Sequence, residues 1–228
     1  GPSTSSKIML KKIIQRGVNV CRLNFSHLEH GDAKEIISNI KEINQELNMH
    51  TAILADLQGP KIRVGIFEKP IKLKKGDEVV FSTKRKKNTI HISYINFAKD
   101  VAKKDKVLLD DGKLSLEVIS TNKKDTVVLK VIFGGLLQSR KGVNLPNTKI
   151  SLPCLTKKDK EDLDFVLSEK IEWVGLSFVR SANDVKILKR LIKKKKLHHK
   201  IIAKIEKPEA INEIDSIIEV ADAIMVAR

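Results

Sequence analysis

The side chains of this sequence that are best suited to chemistry follow an apolar run, Thr51 to Leu54, which is predicted to form a buried strand. The run leads into an acid, Asp56, and after the turn Gly59-Pro60 come two cations, Lys61 and Arg63. In α/β folds, a carboxylate where a strand ends and cations in the next loop suit the binding of phosphate and metal ions. Because Gly-Pro turns are common in loops of every kind, this motif needs support from other strand ends.

Three more predicted strands end in charged or hydroxyl-bearing side chains. Each has an ordinary structural interpretation: Arg22 could fill a barrel interior or lie on the surface, and Lys204 could simply pair with Glu206 two residues later. Four strand ends of the same character favour a functional site, because charges inside a barrel mouth are costly unless they are used. The three strand ends read Arg22-Leu23-Asn24-Phe25-Ser26-His27, Ser177-Phe178-Val179-Arg180 and Lys204-Ile205-Glu206.

The elements that would position these side chains alternate between strand and helix in the first and last parts of the chain. Such alternation implies parallel strands joined by right-handed crossovers. A complete (β/α)₈ barrel needs roughly 250 residues and eight repeats, so the pattern predicts a partial TIM barrel. The predicted strands are Val18 to Leu23, Thr51 to Leu54, Trp173 to Ser177, Ile201 to Ile205 and Ala223 to Val226. The predicted helices are one that stops at Gly17, then Asp32 to Leu47, Lys157 to Ser168 with Thr156 as its cap, Ala182 to Lys195, and Ile211 to Val220.

The middle of the chain has a different texture, with short β-rich pieces separated by Gly, Asn and Lys-Asp turns. This pattern predicts an all-β barrel that is inserted between two parts of the TIM barrel. The predicted division is a barrel domain over residues 1-64, an inserted β-barrel domain over 65-147 and the second part of the barrel domain over 148-228. The strands predicted in the insert are Glu78 to Phe81, Thr89 to Ile92, Lys106 to Leu109, Leu114 to Ile119 and Thr126 to Ile132.

The chain has 228 residues and a formal net charge of +16, with basic clusters at 72–75, 84–87 and 193–196. Nucleic acids attract such charge, but the clusters lack the interleaved aromatic residues that stack on bases. We therefore expect a solvated basic surface and no nucleic-acid partner, while a basic nucleic-acid-binding module is the rival interpretation. Cys21 and Cys154 lie far apart in apolar surroundings, and no apolar run reaches the roughly 20 residues of a bilayer span. A cytoplasmic protein without a membrane partner is expected.

The charged strand ends suit phosphoryl transfer. Arg22, Arg63 and Lys204 could hold phosphoryl oxygens, and Glu206 offers the hard oxygen that Mg²⁺ accepts. Phosphoryl transfer asks a protein mainly for positioning and for neutralisation of charge. The sequence contains neither a GxxxxGKS/T loop nor a GxGxxG turn, which argues against P-loop and Rossmann mechanisms.

Taken in chain order, these motifs resemble pyruvate kinase. The resemblance covers essentially the whole chain, which is similar to the first half or so of a family member. It implies transfer of the phosphoryl group of phosphoenolpyruvate to ADP, giving pyruvate and ATP in the last step of glycolysis. It also implies that the β insert is the family's lid and that the complete protein is a homotetramer. The matching segments are Gly1-Pro2-Ser3, Val18 to His27, Asp56 to Arg63, Leu109-Asp110-Asp111-Gly112, Lys141 to Pro146, Ser177 to Arg180, Lys204-Ile205-Glu206 and Ile224 to Arg228.

The resemblance further implies roles for individual residues. Arg22 would hold the substrate phosphate, Lys204 would stabilise the phosphoryl group during transfer, and Ser177 would also contact the substrate. Glu206 would ligate Mg²⁺ or Mn²⁺. The nucleotide ADP or ATP would be bound by Asn24, Phe25, Ser26, His27, Arg63, Lys141 and Asp111, with Lys141 reaching in from the base of the lid.

The family's monovalent-cation site would be formed by Asn24, Ser26, Asp56 and Leu57. Many family members carry Thr and Glu where this chain has Leu57 and Lys61, and the present combination resembles the members that do not need K⁺. An ammonium group at Lys61 could supply the charge that a bound potassium ion otherwise provides. The expectation is that K⁺ is not required.

One family feature is missing from the sequence. The second metal carboxylate of the family lies in a Gly-Asp that should follow Arg228, so the chain by itself is expected to be inactive. Two other interpretations stay open: another metal-dependent barrel enzyme acting on an enolpyruvate or enolate, such as an aldolase or lyase, and a degenerate scaffold without catalysis. ADP-dependent formation of pyruvate separates the first from a kinase, and an acid after Arg228 argues against the second.

Overall fold

The computed structural model describes residues 1–226, which fall into two compact units. The first unit comprises Gly1–Pro60 and the chain from Pro153 onward, and the second comprises Lys61–Leu152. Ala227 and Arg228, the end of the last segment that matched the family, lie outside the described residues. The domain boundaries predicted at 64/65 and 147/148 fall within the second unit, and the division into barrel and lid stays a prediction.

Both units contain helices and strands. In chain order they are a 3₁₀ helix Pro2–Thr4, α1 Lys7–Gln15, β1 Val20–Asn24, α2 His30–Leu47, β2 Ala52–Asp56, β3 Ile71–Leu73, β4 Glu78–Ser82, β5 Ile90–His91, α3 Phe97–Asp100, β6 Lys106–Leu109, β7 Leu114–Thr121, β8 Thr126–Phe133, β9 Gly135–Leu137, β10 Val143–Asn144, α4 Lys157–Ser168, β11 Trp173–Leu176, α5 Ala182–Lys194, β12 Lys200–Ile205, α6 Pro208–Asn212, α7 Ile214–Val220 and β13 Ala223–Val226. In the described part of the chain, no helix combines the length and the apolar character that a membrane span requires.

The first unit is built on a five-stranded sheet in the order β1-β2-β11-β12-β13, with every pair parallel. This arrangement confirms the parallel strand–helix repetition that the sequence predicts. The register places Asn24 opposite Asp56 in one pair and Gly175 opposite Asp56 in the next. Because parallel strands end at the same edge, the side chains that follow them gather there.

Helix ends in the first unit follow their capping residues. Thr156 caps α4 through a reciprocal capping box with Asp159, as the sequence predicts for this position. Asn48 ends α2 in the left-handed conformation, with φ of 49°. The single helix predicted from Ile211 to Val220 is wrong: the structure has α6 and α7 instead, and Glu213 between them leaves helical geometry at φ −110° and ψ 13°.

The second unit contains a six-stranded sheet in the order β10-β6-β7-β8-β4-β5 and a two-stranded pair, β3-β9. All the pairs are antiparallel except β4 with β5. The second unit is therefore rich in strands, as the sequence predicts. It also contains the four-residue helix α3. A separate apolar core, including Phe81, Phe97 and Leu129, fills it.

His199, which directly precedes β12, makes the stability of the first unit depend on pH. Among the described residues neither ring nitrogen of His199 has a hydrogen-bond partner, and burial lowers the pKa of the imidazole, while Glu172 acts in the opposite direction. Because the unfolded chain then binds a proton more readily, stability is full above about pH 6.5 and falls as the pH drops through that value towards the folded-state pKa.

We expect the urea midpoint of the protein to fall between pH 7.5 and pH 5.5, and His199→Gln to reduce this fall. His198→Gln is the matched control because His198 is the exposed neighbour. Unfolding is followed by the fluorescence of Trp173, the one tryptophan of this sequence. An unchanged pH dependence in the His199 variant would show that another group governs it.

Candidate active site

A buried carboxylate, Asp56, is the centre of the polar cluster at the carboxyl edge of the parallel sheet. Its Oδ2 accepts from Arg22 Nε at 2.7 Å, and Lys204 Nζ donates to both carboxylate oxygens at 3.0 and 3.2 Å. Ser177 Oγ lies 3.3 Å from Asp56 Oδ1 and accepts from Lys204 Nζ at 2.8 Å. The structure thus brings together four residues that the sequence predicts as site residues.

The parallel register explains why these residues meet. Asp56 ends β2, which lies between β1 and β11 in the sheet, with Arg22 on β1 and Ser177 directly after β11. Gly175 leaves room beside it: a Cβ at that position would lie 3.3 Å from Asp56 Oδ1, close enough that the carboxylate would have to shift by a few tenths of an ångström. The side chains of Asp56 and Lys204 are 2% and 9% exposed, whereas Arg22 is 49% exposed. The cluster therefore has a buried pair with one cation at its mouth.

Glu206 is held beside this cluster by a backbone amide. Its Oε2 accepts from Phe178 N at 2.9 Å, and its Oε1 lies 3.4 Å from Lys204 Nζ. Phe178 adopts φ of 56°, a conformation that is costly for a bulky residue. Strained backbone of this kind occurs at functional sites, where the surrounding structure holds it.

The carboxylate of Glu206 is the candidate ligand for a divalent metal. The described residues contain no group of three or more His, Cys, Asp or Glu side chains that could hold a metal by themselves. Mg²⁺ usually takes one or two protein carboxylates and completes its shell with water and substrate. Glu206, at the sheet edge next to Lys204, fits this partial donor set.

The loops after β1 and β2 are fastened to the same edge. Phe25 N donates to Asp56 O at 3.0 Å, and Ser26 N donates to Asn24 Oδ1 at 3.1 Å. Leu57 is buried, its N–H donates to Gly175 O, and its carbonyl accepts from Ser177 Oγ at 2.7 Å. The carbonyl oxygen of Leu57 and the side-chain oxygen of Asn24 thus accept hydrogen bonds from this chain's own donors.

Gly59 permits the turn that follows Leu57. Its φ is 69°, and a Cβ there would lie 2.9 Å from both Ser177 Cβ and Phe178 Cδ2. A larger residue would be strained in this conformation and would also push against the strand end that carries Ser177.

The second unit contains its own group of predicted nucleotide-binding residues. Lys141 Nζ lies 2.8 Å from Asp110 Oδ1, and the hydrogen bond from Lys141 is the main reason that the pKa of Asp110 is lowered. Arg63 Nη1 donates to Arg140 O at 2.9 Å. Asp111 follows Asp110 in a tight turn, where both have positive φ.

Asp110 was not among the predicted site residues, although it stands in the matched segment beside Asp111. Lys207 is a second residue near the site that the sequence analysis did not select. It follows Glu206, and its ammonium group lies 6.0 Å from the centre of the Phe178 ring. Burial lowers the pKa of Lys207. Its signal in the sequence was its place directly after the strand-end motif. His27 and Lys61 lie on loops, with Lys61 exposed. The roles of all the predicted residues towards ligands stay predictions.

Comparison with known proteins assigns the family. The family model described as "Pyruvate kinase, barrel domain" matches residues 1–228 of this chain. The chain belongs to the pyruvate kinase family. Among curated relatives, pyruvate kinase 2 of Synechocystis is 43% identical over 236 residues, and the pyruvate kinases of Geobacillus stearothermophilus and Staphylococcus saprophyticus are each 41% identical over 234 residues. Each alignment covers the whole of this chain and 40% of the relative.

Membership of the pyruvate kinase family agrees with the resemblance seen in the sequence and with the five parallel strands of the first unit. The chain spans about two fifths of the length of the curated relatives that it matches. The predicted kinase motifs at the ends of β1, β2, β11 and β12 all lie within the matched region.

Proposed function

We propose that the complete protein containing this chain is a pyruvate kinase, which transfers the phosphoryl group of phosphoenolpyruvate to ADP. The bond from phosphorus to the enol oxygen breaks, a bond from phosphorus to a β-phosphate oxygen of ADP forms, and the enolate takes up a proton to become pyruvate. The observation that carries this proposal is the cluster of Arg22, Asp56, Ser177 and Lys204 at the sheet edge of a chain in this family.

The charges of the cluster support a division of roles. Arg22 is half-exposed at the mouth and carries the planar donor group that suits phosphate oxygens. Lys204 is almost fully buried, so its charge would act at short range on negative charge that is transferred between oxygens. Ser177 holds the Lys204 ammonium group at 2.8 Å and would keep its direction constant.

Glu206 would hold Mg²⁺ or Mn²⁺ as a carboxylate ligand, with water and substrate among the other ligands. When bound, the metal would neutralise charge on the phosphoryl oxygens. The protein's own contribution is to fix the carboxylate of Glu206, which the Phe178 amide does at 2.9 Å.

For the second unit we propose the role of the family's lid. Arg63, Lys141 and Asp111 would then contact the nucleotide phosphates. By the same family relationship we propose Asn24, Phe25, Ser26 and His27 as further nucleotide-binding residues. This part rests on the family relationship and on the cationic character of Arg63 and Lys141. A homotetramer in the cytoplasm is proposed for the complete protein on the same basis.

The function is tested by measuring pyruvate and ATP with the full-length protein, phosphoenolpyruvate, ADP and Mg²⁺. We expect equal amounts of both products and no pyruvate without ADP. Pyruvate formed without ADP would favour an aldolase or lyase instead. Inactivity of a correctly folded full-length protein would favour the non-catalytic scaffold, and tight, steeply salt-dependent binding of DNA would favour the nucleic-acid-binding module.

We also propose that the enzyme does not need K⁺. In the structure Asp56 already has two cationic partners, Arg22 and Lys204, and Lys61 adds a further positive charge in the loop after Pro60. The expected result is that the rate in K⁺ exceeds the rate in Na⁺ by less than about twofold, a difference of about 0.4 kcal/mol in the barrier.

The matched variant for this prediction is Lys61→Glu, which replaces the ammonium by the acid found in many family members. We expect this variant to lose activity in Na⁺ and to recover part of it in K⁺. Strong stimulation of the unmodified enzyme by K⁺ over Na⁺ would contradict the role given to Lys61.

A further inference from the structure

One face of helix α4 contacts the loop that follows β1. Lys158, Asp162 and Phe165 lie at positions i, i+4 and i+7 of this helix and therefore point to the same side. The ring of Phe165 stacks on His30 with the centroids 4.4 Å apart and lies 6.1 Å from the ring of Phe25. Helix α4 thus packs directly against residues at both ends of this loop.

Lys158 joins the helix to the loop backbone. Its ammonium group donates to the two carboxylate oxygens of Asp162 at 2.7 and 3.0 Å and to the carbonyl oxygen of Phe25 at 3.1 Å. The side chain of Asp162 is 2% exposed, and its Oδ1 is also 2.8 Å from His30 Nε2. A charged donor fixed by a buried carboxylate gives the Phe25 carbonyl a stronger and better directed hydrogen bond than water would.

Asp159, next to Lys158 in the same turn of α4, is hydrogen-bonded to the loop that follows β2. Asp159 is fully buried, and its Oδ1 accepts from Gly59 N at 2.9 Å. Its Oδ2 accepts from Thr156 N and Thr156 Oγ1 at 2.8 and 2.6 Å. The capping box of α4 therefore also fixes Gly59, the residue before Pro60.

We propose that Lys158 and Asp159 are positioning residues for the two loops that carry the predicted nucleotide-binding and monovalent-cation residues. This inference rests on the proposed function. The loop Asn24 to His27 is held at Phe25 by Lys158, while the loop after Asp56 is held at Gly59 by Asp159. Neither residue needs to touch substrate, because each acts on a backbone group of the loop.

The test uses the full-length protein with Lys158→Met, which keeps most of the side-chain volume and removes the charge. We expect the KM for ADP to rise about tenfold, the size of effect that loss of one charge-assisted hydrogen bond gives. The KM for phosphoenolpyruvate should stay within about twofold. Lys158→Arg, which restores a cationic donor, should recover part of the loss.

Lys157→Met is the matched control. Lys157 lies in the same turn but is 94% exposed, with its ammonium group 3.8 Å from Glu161. We expect it to leave both KM values unchanged. Asp159→Asn replaces one accepting oxygen by an NH₂ group, which would face either Gly59 N or the donors of Thr156. We expect this variant to weaken the fixation of Gly59 and to raise the KM for ADP as well.

Amide hydrogen exchange separates failure of this proposal from failure of the proposed function. Exchange over Asn24 to His27 should be faster in Lys158→Met than in Lys157→Met, whether or not the enzyme phosphorylates ADP. Unchanged exchange and an unchanged KM for ADP would overturn the proposal. A lower kcat and melting temperature with both KM values unchanged would also overturn it, because Lys158 would then be important only for folding.

Discussion

Replacement of Lys204 by methionine is expected to lower kcat for phosphoryl transfer by about 10²- to 10³-fold, the loss seen when one preorganised charge-stabilising donor is removed. Lys204 is the buried cation of the cluster, with Asp56, Ser177 and Glu206 around its ammonium group. Because Arg22 is retained, the KM for phosphoenolpyruvate should change much less than kcat. The measurement is steady-state formation of pyruvate by the full-length protein.

Lys200→Met is the matched control for this prediction. Lys200 begins the same strand, β12, at the opposite end from Lys204, and its ammonium group lies 5.2 Å from the centre of the Trp173 ring. It should keep kcat within about twofold of the unmodified enzyme. Equal losses in the two variants, or a Lys204→Met enzyme that keeps most of its kcat, would exclude Lys204 from the catalytic role.

The second large effect concerns stability. Asp56→Asn should lower the free energy of unfolding of the first unit by about 3 kcal/mol, because buried Lys204 would lose its closest charged partner and keep only the longer, 3.4 Å contact with Glu206. The pair is close, at 3.0 Å, and both side chains are less than a tenth exposed. Unfolding in urea, followed by Trp173 fluorescence, measures the change.

The double variant Asp56→Asn with Lys204→Met is the control, since it removes the buried charge as well as its partner. It should be more stable than Asp56→Asn alone, and together with the Lys204→Met single variant it completes a double-mutant cycle that gives the coupling between the two residues. If Asp56→Asn lowers the free energy of unfolding by less than about 1 kcal/mol, the pair contributes no more than an exposed ion pair does. That result would contradict the burial seen in the structure.

The parallel sheet could be predicted because its signals are local. Apolar runs predicted the strands, and Thr156 marked the start of α4. The break between α6 and α7 could not be predicted in the same way. The sequence there continues its apolar spacing without Gly or Pro, so only the conformation of Glu213 reveals it.

The members of the site could be predicted, but their partners could not. Lys204 and Asp56 lie 148 positions apart in sequence, and their contact depends on the register of three strands. The resemblance gave Arg22 a ligand role and placed Asp56 in a cation site, whereas the structure shows that the two also bind each other. The left-handed conformation of Phe178 carried no signal, because a bulky aromatic residue is not expected there.

The most direct test of the central claim follows the phosphorus atom itself. The full-length protein is incubated with ³²P-labelled phosphoenolpyruvate, ADP and Mg²⁺, and the nucleotides are separated from inorganic phosphate. Direct transfer predicts that the label appears in the γ-phosphate of ATP, in step with pyruvate, and that Lys204→Met slows its appearance. Label released only as inorganic phosphate, or pyruvate formed while ATP stays unlabelled, would contradict the assignment of this chain to a phosphoryl-transfer site.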